Sequence, residues 1–402
     1  MKTVAIIAEY NPFHTGHEYQ IKKIREEFGQ NTRIIAIMSG NYIQRGDVAI
    51  MDKFKRAECA VLCGVNLVLE LPFPYSMSSA EFFAKSGVRI ANEIGVVDYL
   101  SFGSESGDTN IIVQASKNMS TELFKAKLNE SVSSLNSKEI GHPKMCEQVF
   151  SSLFGPDFTF TPNNILALEY IKALINEKSK IKPHTVKRIG ASFLETNITD
   201  DEFQSATAIR ERIYTDFVSA LDFIPKNTKN TFLSEYNSKQ TPCDSEKLSA
   251  AVISNFRLNS SPSAPDIQDA GAGLYNRIRS ASFNANTIKD LISLTDTKKY
   301  TSARIRRAVW NSFFGVTSSS VKELPSYTQV LAMDTVGKTI LKEIKKVSDF
   351  PVLTKPSSTD KLSGAALSQK QLSDKADSVF QLTKPEPPFG NQALKTTPYV
   401  VK

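Results

Sequence analysis

The chain has 402 residues, 41% of them apolar, and a formal net charge of +7. That length exceeds what one hydrophobic core commonly serves, so two domains are expected, and the lack of any run of about 18 apolar residues argues against a membrane span. Four cysteines make no disulfide framework, and MKTVAIIAEY holds neither a signal-peptide core nor a cleavage site, so a mature cytoplasmic protein is expected.

In chain order, TVAIIAEY (3–10) is an apolar run of strand length, and Tyr19, Ile21, Ile24 and Phe28 carry helical spacing behind it. RIIAIMSG (33–40) reads as a second strand, 53–63 as a helix, NLVLELP (66–72) as a third strand and VVDYLSFG (96–103) as a fourth. Near-continuous apolar strands separated by helices indicate an α/β fold with a parallel sheet covered on both faces. Ligands bind such sheets beyond the carboxyl ends of the strands, where Asn11–Gly16, Ser39–Asp47, Leu71–Ser76 and Gly103–Gly107 converge.

NPFHTGH follows the first strand and holds two of the four histidines. Pro12 ends the strand, and Gly16 lets backbone and ligand approach at a helix start, where free N–H groups and the macrodipole favour an anion. His14 and His17, three apart, could both donate to charge developing on a phosphoryl group. Cys59 and Cys63 complete the apolar face of a helix, and no metal site is expected. In SATAIR (205–210), Ser205 and Thr207 suit a helix cap, and Arg210 offers a planar fork to phosphate oxygens.

NPFHTGH resembles the H-x-G-H signature of the nucleotidyltransferase superfamily, and SATAIR resembles its second, later signature. Together with SGNYIQRGDVAIMDKFKRAECA, LVLELPFPYSMSSAEFFA, LSFGSESGD, PNNILALEYIKAL and VKRIG, they make residues 1–215 similar in register to the bacterial tRNA(Met) cytidine acetate ligase family. The resemblance implies a Rossmann-like sheet that activates acetate with ATP, accompanied by Mg²⁺, as acetyl-AMP with release of pyrophosphate. The acetyl group then passes to the wobble cytidine of elongator tRNA(Met), giving N4-acetylcytidine.

By the same resemblance, His14, His17 and Arg210 are catalytic. The nucleotide is held by Ile7, Ala8, Glu9, Tyr10, Asn11, Pro12, Phe13, His14, Thr15, Gly16, His17 and Gln20. Gly103, Asn163, Asn164, Lys187, Arg188, Ser205 and Thr207 complete that set. Gly103 would leave room for adenosine. Gln44, Arg45 and Gly46 could face acetate, ATP or RNA. The chain departs from the family pattern at Asn66, where Asp is common, and at 191–201, where an expected histidine is missing.

Residues 1–220 are therefore read as the nucleotidyltransferase domain and 221–402 as a mainly helical, basic domain. KKYTSARIRR (298–307) places Lys298, Lys299, Arg304, Arg306 and Arg307 without an acid between them, and GKTILKEIKK (337–346) adds four lysines. The positive balance favours a polyanionic partner, and these segments are expected to face tRNA phosphates. Residues 351–402 read as a helical hairpin or loose tail. Two other readings stand beside the ligase: a small-molecule adenylyltransferase, and a catalytically silent RNA-binding protein on the same fold.

Overall fold

A computed structural model describes the chain except residues 134–141, 157, 190–203, 259–265, 272, 356–357, 390–391 and 402. The divergent stretch 191–201 thus lies outside the described residues. The expected strands form as β1 (Thr3–Ala8), β2 (Arg33–Ser39), β5 (Leu67–Leu71) and β6 (Tyr99–Ser104). A short hairpin, β3 (Tyr42–Ile43) and β4 (Asp47–Val48), follows β2, and β7 (Lys182–Lys187) pairs in parallel with β6.

Alternation along these strands explains why they read as continuous apolar runs. Ala5, Ile7, Ile35, Ile37, Leu67 and Leu69 enter one core layer, whereas Val4, Ile6, Ile34, Ala36 and Val68 enter the other. Side chains on a strand alternate between faces, so a strand covered on both sides has no polar face to show. The helices α1 (Thr15–Phe28) and α2 (Lys53–Leu62) bury Ile21, Ile24, Phe54 and Ala57 in the second layer. The first layer is closed by α3 (Ala80–Glu93) and, after an excursion through α4 (Thr109–Ser120), α5 (Glu122–Ser133) and α6 (His142–Phe154), by α7 (Pro162–Asn176). The motif SATAIR opens α8 (Ala206–Thr215).

The boundary expected at 220 does not divide the sheet. Its strand order is β10–β8–β5–β2–β1–β6–β7, in which β8 (Thr328–Met333) and β10 (Tyr399–Val400) come from the C-terminal part. β9 (Val352–Leu353) pairs with the start of β8, and β8 runs antiparallel to β5, so the sheet is mixed rather than wholly parallel. Within 351–402, helix Gly364–Phe380 packs into the fold and buries Ala376 and Phe380 completely. The helical part has its own core around Trp310, built from helices Ser249–Leu258, Leu274–Ser282, Ile288–Thr295 and Ser302–Phe314. Tyr42, Val48 and Phe73 of the N-terminal part belong to that core as well, so the two parts interlock beside the sheet's carboxyl edge.

Candidate nucleotide-binding active site

Past β1 the chain turns sharply: Tyr10 has a φ of 48° and the Asn11–Pro12 peptide is cis. His14 is then the N-cap of α1. Its Nδ1 accepts from the Gly16 backbone N–H at 3.0 Å, and its own N–H donates to His17 Nδ1 at 3.2 Å, a capping box built from two imidazoles. With both Nδ1 atoms accepting, each neutral ring carries its proton on Nε2. The rings lie 3.9 Å apart, and Tyr10 packs edge-on to His17 at 4.9 Å. Burial first, then the Arg188 and Arg210 charges, lower the His14 pKa to about 3; burial and neighbouring positive charge push His17 well below its ordinary value too. Both histidines are therefore neutral N–H donors at pH 7. Gly16 serves this arrangement directly, since a Cβ there would come within 2.8 Å of His14 Cε1.

The second motif docks onto the first. Ser205 caps α8 by accepting from Ala208 N at 3.0 Å, while Thr207 does not cap but accepts from Arg210 Nη2 at 3.1 Å. Arg210 Nη1 donates to the Asn11 carbonyl at 2.8 Å, which fixes the guanidinium beside the histidine turn. Across the sheet, Arg188 follows β7, and its stem passes over Gly103, where a Cβ would lie 3.2 Å from Arg188 Cγ. That glycine thus makes room for the arginine stem. Asn163 donates to Glu105 Oε1 at 2.9 Å and faces the cleft. Asn164 is buried, accepts from Glu105 N at 3.3 Å and donates to Thr159 O at 2.9 Å. The asparagine pair splits into one lining residue and one that holds the loop behind it.

His14, Gly16, His17, Gly103, Asn163 and Arg188 border a cleft of about 200 Å³ at the carboxyl ends of β1, β6 and β7. Of the residues expected there, Ile7, Ala8, Glu9, Tyr10, Asn11, His14, Gly16, His17, Gln20, Gly103, Asn163, Lys187 and Arg188 line it. Pro12, Phe13, Thr15, Asn164, Ser205 and Thr207 are not on its wall, nor is Arg210, which stands behind it and holds the Asn11 carbonyl. Gln44 and Arg45 are, together with Phe102 of LSFGSESGD and Tyr170 of PNNILALEYIKAL, two aromatic residues to which the sequence reading gave no role. The amide nitrogens Asn11 Nδ2 and Gln20 Nε2 are buried without a hydrogen-bond partner, which leaves two donors for a ligand's oxygens. Arg45, Lys187 and Arg188 outnumber Glu9 among the charged lining residues, a balance suited to a polyanion.

One supporting residue escaped the sequence reading. Arg56 of α2 is wholly buried and donates to the carbonyls of Glu9 at 2.5 Å, Met51 at 2.9 Å, Ser39 at 3.1 Å and also Gly40. It ties the ends of β1 and β2 together at the cleft floor. The available signal was an arginine in the first turn of a helix whose buried face is otherwise mostly apolar.

A family model described as HIGH Nucleotidyl Transferase matches residues 1–393. The tRNA(Met) cytidine acetate ligase of Thermoanaerobacter sp. (strain X514) is 35% identical over 382 residues, covering 92% of this chain and 93% of the relative. That of Acetivibrio thermocellus is 33% identical, with both chains covered in full. The chain belongs to the tRNA(Met) cytidine acetate ligase family. The fold agrees: the crystal structure of Thermotoga maritima TmcAL bound with alpha-thio ATP matches at a TM-score of 0.89 and 28% identity, covering 100% of this chain and 99% of that one. The same protein's apo form matches at 0.91 with full coverage of both chains.

Within this member of the ligase family, the departure at Asn66 has a structural reason. Its Oδ1 accepts from Ile34 N and its Nδ2 donates to Asp334 Oδ2, both at 2.8 Å, and an aspartate there would set two carboxylates against each other. The basic segment 298–307 is less free than its composition suggests. Lys298 and Lys299 are exposed, but Arg304 donates to the Asp269 carbonyl at 3.0 Å and Arg306 pairs with Asp47 at 3.3 Å. Arg307 is buried against Asp269 at 2.7 Å, so it offers nothing to an RNA surface. The lysine-rich helix Thr335–Val347 lies at the opposite edge of the sheet, where its Glu343 pairs with Arg33 at the start of β2. Among the described residues, no helix is long and apolar enough to cross a membrane.

Proposed function

We infer that this protein uses ATP to activate acetate as acetyl-AMP and acetylates N4 of the wobble cytidine of elongator tRNA(Met). A carboxylate oxygen of acetate attacks the α-phosphorus, the bond to the bridging oxygen breaks, and pyrophosphate leaves. The cytidine amine then attacks the acetyl carbonyl, AMP departs and the N4 nitrogen loses a proton. Neither step demands a protein nucleophile. The first needs positioning and neutralisation of charge on the leaving pyrophosphate.

One observation carries the reading: two neutral imidazoles at the N-terminus of α1 line the cleft, each accepting a backbone N–H at Nδ1 and so keeping Nε2–H as a donor. Such donors stabilise charge that grows in the transition state without holding a fixed positive charge against the bound ground state. Arg210 and Arg188 add the fixed charge. The unpartnered amides of Asn11 and Gln20 suit phosphate or ribose oxygens. Mg²⁺ accompanies the phosphates of ATP and keeps much of its water, so it asks for no carboxylate cage. Exposed Lys298 and Lys299 suit a tRNA phosphate, and a tRNA substrate places the reaction in the cytoplasm.

Purified protein incubated with ATP, labelled acetate and total tRNA is expected to yield labelled N4-acetylcytidine after nuclease digestion. Label absent from tRNA, with an adenylate accumulating on another acceptor, would overturn the reading.

A further inference from the structure

We infer that the β3–β4 hairpin is the acid-binding wall of the cleft, with Arg45 as the residue that holds the substrate carboxylate. The inference deepens the ligase reading and rests on it.

The sheet reverses its strand order at β1: β2 and β5 lie on one side of it, β6 and β7 on the other. A nucleotide belongs over the crevice between β1 and β6 at such a point. The groups suited to phosphate gather on that side, with His14 and His17 on α1 and Lys187 and Arg188 after β7. Gln44 and Arg45 reach the cleft from the other wall, at the tip of the hairpin that follows β2. An in-line displacement at the α-phosphorus needs its nucleophile opposite the leaving pyrophosphate, so the acid must enter from this second wall.

Arg45 fits that task chemically. It is half-buried and stands within charge reach of Glu9, Arg210 and Arg306. Arg45, Arg210 and Arg306 thus face two carboxylates, Glu9 and the Asp47 paired with Arg306, and the remaining positive surplus suits a monoanion beside Arg45. The Glu9 carboxylate accepts from Gln44 N at 2.9 Å, which fixes the backbone of the tip. A guanidinium is matched to a carboxylate by its parallel N–H pair, which a lysine cannot reproduce.

The wall is also held rigid from behind. Gly46 has a φ of 78°, and a Cβ there would stand 2.5 Å from Arg307 N, so the tip touches the backbone of helix Ser302–Phe314. Arg306 pairs with Asp47, and Arg307 donates to Gln44 O, each at 3.3 Å. Tyr42 at the base is wholly buried against Phe73 and Trp310. A side chain on such a support can discriminate by position.

Acetate-dependent ATP–pyrophosphate exchange separates the two substrates. R45A is expected to raise the KM for acetate by about 10- to 100-fold, the range for losing a charge-assisted hydrogen bond, with the KM for ATP within about twofold. R45K is expected to recover only part of the loss. Should R45A exchange nothing even at high acetate, added guanidinium chloride restores exchange if the inference holds and leaves the variant inactive if it does not. R45A supplied with synthetic acetyl-AMP is expected to lose far less in tRNA acetylation than in acetate-dependent exchange. A matching rise in the KM for ATP, or an unchanged KM for acetate with impaired transfer from acetyl-AMP, overturns the inference alone. Wild-type protein that shows no acetate-dependent exchange overturns the ligase reading and this inference together.

Discussion

Arg307 donates through Nη1 to the carbonyl oxygen of Gln44 at 3.3 Å, while its Nε holds Asp269 Oδ2 at 2.7 Å. One buried guanidinium therefore joins the helical part of the chain to the wall of the cleft. R307A leaves the Asp269 carboxylate without its partner, and a loss of about 3 kcal/mol in stability is expected by urea titration. The same variant is expected to slow adenylate formation about tenfold, because the hairpin tip loses its rear support. Replacing Lys298 and Lys299 by alanine should have the opposite profile. Acetyl-AMP formation is spared, whereas the tRNA KM rises and its dependence on salt becomes shallower. Unchanged tRNA kinetics in the lysine double variant would remove those two residues from the RNA contact surface.

The histidine pair carries a pH prediction with a definite sign. His14 is held neutral, with a folded pKa of about 3 against an ordinary value of 6.5, and His17 is lowered in the same direction. Between those values the unfolded chain binds more protons than the folded one, so stability is full above pH 6.5 and falls as pH drops through the window. The slope is at most about 1.4 kcal/mol per pH unit for each histidine. Thermal melts from pH 7 to 4 measure it, and H14N H17N should flatten it. H14N by itself keeps an oxygen able to cap Gly16 N but loses the Nε2 donor. Its stability is expected within about 1 kcal/mol of wild type, with adenylate formation down by about 100-fold or more.

The strands β1, β2, β5 and β6 were legible because burial on both faces leaves unbroken apolar runs, and the two motifs were legible by their place behind a strand and at a helix start. The sheet's far edge was not. TQVLAM at β8 looks like any short apolar segment, and its pairing with β5 joins residues some 260 positions apart, which no local pattern encodes. Arg304, Arg306 and Arg307 read as a basic stripe facing tRNA phosphates because composition reports charge and not what the charge touches. Asp47 and Asp269, their partners, lie outside the segment. Thr207 and Asn164 lie in quoted motifs, and their side chains turn to Arg210 and Thr159.

Arg56 gives a test of cleft geometry without touching the cleft. Its donors satisfy four backbone carbonyls, among them those of Glu9, Ser39 and Gly40, and burial lowers its pKa to about 10. R56K keeps the charge but cannot span those carbonyls with one ammonium. We expect kcat for pyrophosphate exchange to fall about tenfold or more, with the KM for ATP and acetate moving together as both walls shift. A change confined to one substrate would show instead that Arg56 supports only one wall.

Helix Gly364–Phe380 is fastened to the sheet by a buried charge cluster. Lys53 Nζ lies 2.6 Å from Glu70 and 2.5 Å from Asp377, all three being buried, and Asn41 Nδ2 donates to Asp377 Oδ1 at 2.9 Å. K53M would leave two carboxylates buried without their cation, which costs about 3–5 kcal/mol. Burial pushes the Glu70 carboxyl up to about 7 despite the lysine beside it. A raised folded value means that the folded chain binds the extra proton between about pH 4.5 and 7, so the stability Glu70 contributes is present at low pH and lost as pH rises through that window. E70Q keeps the shape and an oxygen for Lys53 but cannot titrate. The difference in stability between wild type and E70Q is therefore expected to shift in favour of E70Q as pH rises from 5 to 8, read by urea titration at each pH. A difference that does not change with pH would show that Glu70 keeps one protonation state across the range.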